Sequence, residues 1–158
     1  MLMIGLKKLI KETEIRRIDR ISDMVEIGLG NEIEYTSVLG KKKLKNKQTF
    51  HIQCPFRIKK DKKLIVGNRD IYNVCDENKN WDDWEKYGSN YFDKMVENEI
   101  KPDLPLEILD IAENDDGDVS IFLSKGYCIE IFVNAASEDE YWRFMDTYTD
   151  KHYVFNEK

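Results

Sequence analysis

Two hydrophobic rhythms divide the chain. Near the start, Leu2, Leu6, Leu9 and Ile10 fall at helical spacing, so residues 2 to 11 are expected to form a short amphipathic helix. Ile15, Ile18 and Ile21 also look helical, but Val25, Ile27 and Leu29 then alternate with Met24, Glu26 and Gly28 as in a strand. Gly30 and Asn31 offer a turn, residues 32 to 38 a partner strand, and Gly40 with the lysines after it a loop. From 50 to 58, FHIQCPFRI, the alternation is clean. Phe50, Ile52, Cys54, Phe56 and Ile58 share one face of a predicted strand; His51, Gln53, Pro55 and Arg57 share the other. Pro55 marks an edge or a bulge. Leu64 to Val66 can pair back, and Gly67 and Asn68 supply turn chemistry.

The rhythm turns helical again after Asn80, a candidate cap followed by Asp82 and Asp83. Trp84, Tyr87, Tyr91 and Met95 recur at helical spacing and read as a core stripe; Gly88 and Ser89 divide it and Pro102 ends it. One or two helices are therefore expected between residues 80 and 101. The last third reads as antiparallel sheet: strands at 106–112, 119–124 and 127–133, with turns at 114–118 and at Lys125–Gly126. The aspartates of 114–118 lack the ligand spacing and closing glutamate of a calcium loop. Ser137 and Glu140 have capping-box spacing, so 138–147 fits a helix, yet YWRFM also alternates as a strand. HYVF at 152–155 is a last strand; if both are strands they form a closing hairpin. Together these elements predict an α+β fold, mainly antiparallel twisted sheet with an N-terminal helix, in one domain over 1–158.

Composition adds a compartment and a charge asymmetry. No apolar run approaches the roughly 20 residues of a membrane helix, and the opening MLMIGLKKLI lacks the parts of a signal peptide. Cys54, Cys75 and Cys128 form an odd, scattered set without a CxxC pair, which fits a reducing cytoplasm better than a disulfide framework or zinc site. From Lys41 to Lys63, nine lysines and Arg57 face a single acid, Asp61, a local charge of +9 in a chain whose net charge is −6. The bland reading is a pair of solvated loops flanking a strand. An acidic remainder and the absence of aromatics within the lysine clusters disfavour nucleic acid.

Candidate chemistry is sparse. A regular strand sends His51 and Cys54 to opposite faces, so they share no metal and form no base–nucleophile pair unless a bulge at Pro55 intervenes. The chain has no G-x-S-x-G elbow, phosphate loop or dinucleotide motif. Its two histidines, His51 and His152, have no metal-ligand spacing, although a two-His-one-carboxylate enzyme remains a third hypothesis. No catalytic residue, metal or cofactor is assigned. What remains is a polar cluster, structural or binding: His51, Gln53 and Arg57, joined by Asp70, Tyr72 and Arg143. Buried polar networks also specify folds, and arginines in a site would favour an anionic partner.

Three blocks, HIQCPFR, VGNRDIY and GDVSIFLSKGYCIEIFVNAASEDEYWRF, resemble an abundant family of small, uncharacterised bacterial proteins. Its pattern runs H-x-Q-C-P-W-R, then G-S-x-D-x-Y, then G-x-x-L-E-V-F-P-D-S-S with E-x-W-R. The positions matched here are His51, Gln53, Cys54, Pro55, Arg57, Gly67, Asp70, Tyr72, Gly126, Glu130, Phe132, Trp142 and Arg143. Phe56 replaces tryptophan, Asn68 replaces serine, and Val133 and Asn134 stand where proline and aspartate are common. The resemblance implies an α+β domain without an assigned activity; proteins of this type often accompany toxin genes as immunity partners. The expected function is thus a non-enzymatic, cytoplasmic protein-binding role, an immunity-type partner of a toxin, with no membrane involvement. The alternative is a small-ligand or nucleic-acid binder that uses the His51/Gln53/Arg57 face and the flanking lysines.

Overall fold

The computed structural model describes residues 5–76, 80–147 and 149–155. Ten strands join in one antiparallel sheet: β1 (Glu14–Ile21), β2 (Met24–Thr36), β3 (Lys42–Ile52), β4 (Phe56–Lys60), β5 (Lys63–Gly67), β6 (Leu106–Glu113), β7 (Val119–Leu123), β8 (Tyr127–Ile131), β9 (Trp142–Asp146) and β10 (Lys151–Val154). Their order is β10-β9-β3-β2-β1-β6-β7-β8-β4-β5. The α+β expectation therefore narrows to a mostly-β architecture. The N-terminal helix is a single turn, α1 (Leu6–Leu9), within the described part of 2–11. The 80–101 region is a chain of short pieces: a 3₁₀ turn Trp81–Glu85, α2 (Tyr91–Met95), a π turn Val96–Ile100 and a 3₁₀ turn Lys101–Asp103.

The sheet folds over at two places. Strand β6 pairs with β1 only through Glu107 and Leu106, then with β7 from Ile108 onward. The chain also leaves β3 at Ile52, crosses through Gln53, Cys54 and Pro55, and re-enters as β4, with five strands between the two in the order. The crossing is pinned by Gln53 N–H donating to Tyr141 O (2.9 Å) and Phe132 N–H donating to Pro55 O (2.8 Å). Burial nonetheless alternates through it: Phe50, Ile52, Cys54, Phe56 and Ile58 are all buried. The two halves share one core, in which Phe50 meets Phe144 and Trp142, Phe56 meets Phe92, and the Trp142 indole donates to Gly117 O at 2.9 Å.

Four expectations are corrected. Residues Gly30 and Asn31 form no turn; β2 runs through them as a bulge, with Gly30 at φ +73°, and residues 32–36 continue the same strand. The lysines from Lys42 onward belong to β3, not to a loop. Of the expected core stripe, Trp84 and Met95 pack half-buried against the core, but Tyr87 and Tyr91 are exposed, and Phe92, Val96 and Ile100 are the fully buried residues of this region. Asn80 makes no capping bond; Asn90 does, accepting from Asp93 N–H at 2.8 Å. For 138–147 the strand alternative holds, because Trp142 and Phe144 face Phe50, and β9 and β10 do make the closing hairpin.

A buried ion pair fastens the helical pieces to the sheet. Arg20 points inward from β1 and makes two parallel 2.7 Å bonds to the Asp93 carboxylate of α2. Its remaining donors reach Ser22 O, Trp84 O and Lys86 O, and Gly88 N–H donates to Asp93. Both side chains are 2% exposed, so removing one partner strands a charge. Arg20→Ala should lower stability by about 3–5 kcal/mol in urea unfolding, whereas Arg20→Met with Asp93→Leu should cost clearly less than the single change.

Candidate functional site

The sheet's outer face carries a row of titratable groups across four strands. Asp19 lies opposite Glu26, Glu26 opposite His51, and His51 opposite Arg143. They face outward because their neighbours Arg20, Val25, Ile52 and Trp142 fill the inward positions. His51 Nε2 lies 2.9 Å from Glu26 Oε1, and Arg17 Nη1 is 3.1 Å from Glu26 Oε2. The hydrogen bond from His51, aided by Arg17 and opposed by partial burial, holds the Glu26 carboxyl below its ordinary 4.5. At the other end, Arg143 reaches Glu140 at 2.6 Å and His152 Nδ1 at 3.1 Å, and Gln53 Nε2 donates to the same Glu140 at 3.4 Å.

Beside this row, a glycine makes room for a buried amide. A Cβ on Gly28 would fall 2.0 Å from Asn46 Oδ1. With that space open, Asn46 donates to Gly30 O at 2.8 Å and accepts from Arg17 Nε at 3.0 Å. Arg17 is thereby aimed at Glu26. The result is an open depression of about 360 Å³ whose walls include Arg17, Glu26, Glu32, Lys45, His51 and Met145. Its positive and negative groups largely neutralise one another, so it offers polar recognition more than a strong field for either sign.

Of the six residues singled out from sequence, the fold brings together His51, Gln53 and Arg143. Arg57 lies in the other half, 2.7 Å from Glu130 and over the Phe132 ring. Asp70 accepts from Gly67 N–H and fastens the local 3₁₀ turn Asn68–Tyr72. Tyr72 donates to Asp23 at 2.7 Å; burial and that carboxylate push its hydroxyl up to about 12. The proposed His51/Gln53/Arg57 face is thus divided between two halves of the sheet, because the chain crosses over between Ile52 and Phe56. Sequence reasoning missed Glu26, Arg17, Asn46 and Glu140. Only the cross-strand register, not spacing along the chain, places Glu26 and Arg143 on either side of His51.

Cys54 points into the core while His51 points out. Burial raises its thiol to about 12, so it is a weak nucleophile as well as a distant one. Among the described residues, no group of three or more His, Cys, Asp or Glu side chains is arranged to hold a metal ion.

A second surface stands out by composition. On the 3₁₀ turn Trp81–Glu85, residues three apart eclipse, which sets Trp81 and Trp84 on one side. Tyr72 packs edge-on against Trp84 at 4.8 Å between centroids. Trp81 is 82% exposed, and Tyr72, Tyr87, Tyr91 and Ile21 are exposed as well. Asp23, Asp82 and Glu85 are exposed among them. Arg20 holds this surface together, since its guanidinium bonds carbonyls of both the β1–β2 turn and the 81–86 segment.

Comparison with protein-family models, curated proteins and solved structures finds no match.

Two measurements check this geometry. Because Glu26 titrates below its unfolded value, its contribution is complete above about pH 4.5 and is lost as pH falls through the folded pKa. Glu26→Gln should cost about 1 kcal/mol at pH 7 and flatten the decline of stability on acidification below pH 4.5. Under native conditions Cys54 should react with a thiol reagent only at the rate of structural opening, and become accessible in denaturant.

Proposed function

We propose that this chain is a non-enzymatic binding protein that engages a basic protein partner, in the manner of an immunity protein that covers a toxin. The observation that carries this reading is the exposed aromatic surface of Tyr72, Trp81 and Tyr87, backed by the half-buried Trp84 and set among Asp23, Asp82 and Glu85. Tryptophan and tyrosine dominate binding energy at protein interfaces because they bury large areas with few rotamers to freeze. Carboxylates around them favour a cationic partner and speed encounter. The bland alternative, scattered surface aromatics, accounts less well for their convergence on one anchored segment. Separation of His51 from Cys54, together with the neutralised depression on the sheet, supports binding over covalent chemistry.

In this reading the protein works in a reducing compartment, the cytoplasm, which suits three free cysteines. It needs no cofactor. Membership in the small bacterial family with the H-x-Q-C-P-[WF]-R motif, and that family's α+β fold, belong to the same proposal. The nucleic-acid alternative loses support because Lys59 and Lys60 are already committed to Glu130 and Asp103.

A tagged chain returned to its host should retain one basic protein in stoichiometric amount. Trp81→Ala and Asp82→Lys should each weaken that complex about tenfold or more without changing thermal stability. Recovery of no partner, or a partner indifferent to both substitutions, overturns the proposal.

A further inference from the structure

The longest hairpin outruns its neighbours. Pairing of β1 with β2 ends at Leu29, and pairing of β9 with β3 begins at Gln48. Beyond the Gly30 bulge, Glu32–Thr36 and Lys42–Asn46 pair with each other as a two-stranded ribbon. At about 3.3 Å per residue, this ribbon is roughly 20 Å long; its base curls over the sheet, where Tyr35, Leu44 and Lys45 line the same depression as Glu26 and His51. It ends in a well-bonded turn: Gly40 N–H donates to Ser37 O and Ser37 N–H to Lys41 O, both at 2.8 Å, and Lys41 N–H donates to Ser37 Oγ.

The apex of that turn is apolar. Val38 is 105% exposed and Leu39 is 83% exposed, at positions where tight turns ordinarily place Asn, Asp, Gly or Pro. Leu44, also exposed, lies on the returning strand. Four lysines collar the tip: Lys41, Lys42, Lys43 and Lys45. Lys42 also contacts Glu34 at 3.1 Å and Lys45 covers the Tyr35 ring at 4.3 Å.

We propose that the ribbon tip docks on an anionic lipid surface, with Val38 and Leu39 entering the interfacial layer and the lysine collar facing the headgroups. A convex apolar point gains little against a rigid protein surface but can sink into a soft interface. The lysines add attraction to acidic lipids. Aliphatic tips have no ring to stack on bases, which favours lipid over single-stranded nucleic acid. The acidic remainder of the chain would be held off by the same surface, so the ribbon approaches first. Such contact is peripheral: among the described residues no helix is long and apolar enough to cross a membrane. The expectation of no membrane partner rested on spanning runs and leaves surface attachment open. This docking is independent of the aromatic surface proposed for protein binding.

Co-sedimentation with vesicles tests it. The protein should pellet with phosphatidylcholine vesicles containing phosphatidylglycerol and stay in solution with phosphatidylcholine alone. V38S/L39S and K41Q/K42Q/K43Q should each reduce binding about tenfold or more while leaving the unfolding temperature unchanged, since none of these side chains is in the core. Absence of binding by the unaltered protein overturns the inference. So does binding that V38S/L39S leaves intact, particularly with equal retention of the unaltered protein on an anionic polymer, because the lysines then act as a general polyanion site.

Discussion

The bidentate bond between Arg20 and Asp93 is the constraint on which the helical region's position depends. A guanidinium buried at the end of β1 has lost its water, and only a full set of acceptors offsets that cost. The structure supplies a carboxylate and three carbonyls. Those acceptors come from the β1–β2 turn, the 81–86 segment and α2, so satisfying one side chain sets three stretches of chain relative to one another. The short helical pieces have little intrinsic stability of their own. They hold position because the sheet presents a charge that their carbonyls and one carboxylate complete, and because Phe92, Val96 and Ile100 cover the core.

The sheet separates its two chemistries by face. Inward rows such as Ile18, Ile27, Phe50 and Phe144 build the core; outward rows carry Asp19, Glu26, His51 and Arg143. Strand periodicity makes this separation automatic, and it persists through the crossing at Gln53–Pro55, where the strand itself breaks. The thiol and imidazole that look adjacent in HIQC are therefore divided by the thickness of the sheet. Charged side chains on the outer face find partners on neighbouring strands, which leaves exposed aromatic and aliphatic groups as the more distinctive recognition features.

Much of the β architecture was legible because half-buried strands alternate. The hairpins between 106 and 131 and the inward set from Phe50 to Ile58 follow directly from that pattern. Other elements lacked the signal. In β1 a bulge between Ile15 and Arg17 puts Ile15 and Ile18 on the same face three residues apart, and with the outward, exposed Ile21 at the next such interval the three imitate a helix. The ribbon around Lys42–Asn46 is open to water on much of its surface and needs no apolar face, so its lysines read as loop. The 81–103 region mixes 3₁₀, α and π turns, whose differing periods defeat a single helical template. For the candidate site, His51, Gln53 and Arg143 were recognisable as polar residues on apolar strands. Their partners Glu26 and Glu140 were not, because register between distant strands is a tertiary property.

The space above Gly28 also couples two positions in any lineage that carries this fold. A side chain there is excluded while Asn46 occupies the gap, and shortening Asn46 alone would leave a hole and release Arg17. Acceptable sequences should thus change these sites as a pair, glycine with a long amide or a small β-carbon with a trimmed partner. The neighbouring arginine would keep its aim only in the first arrangement.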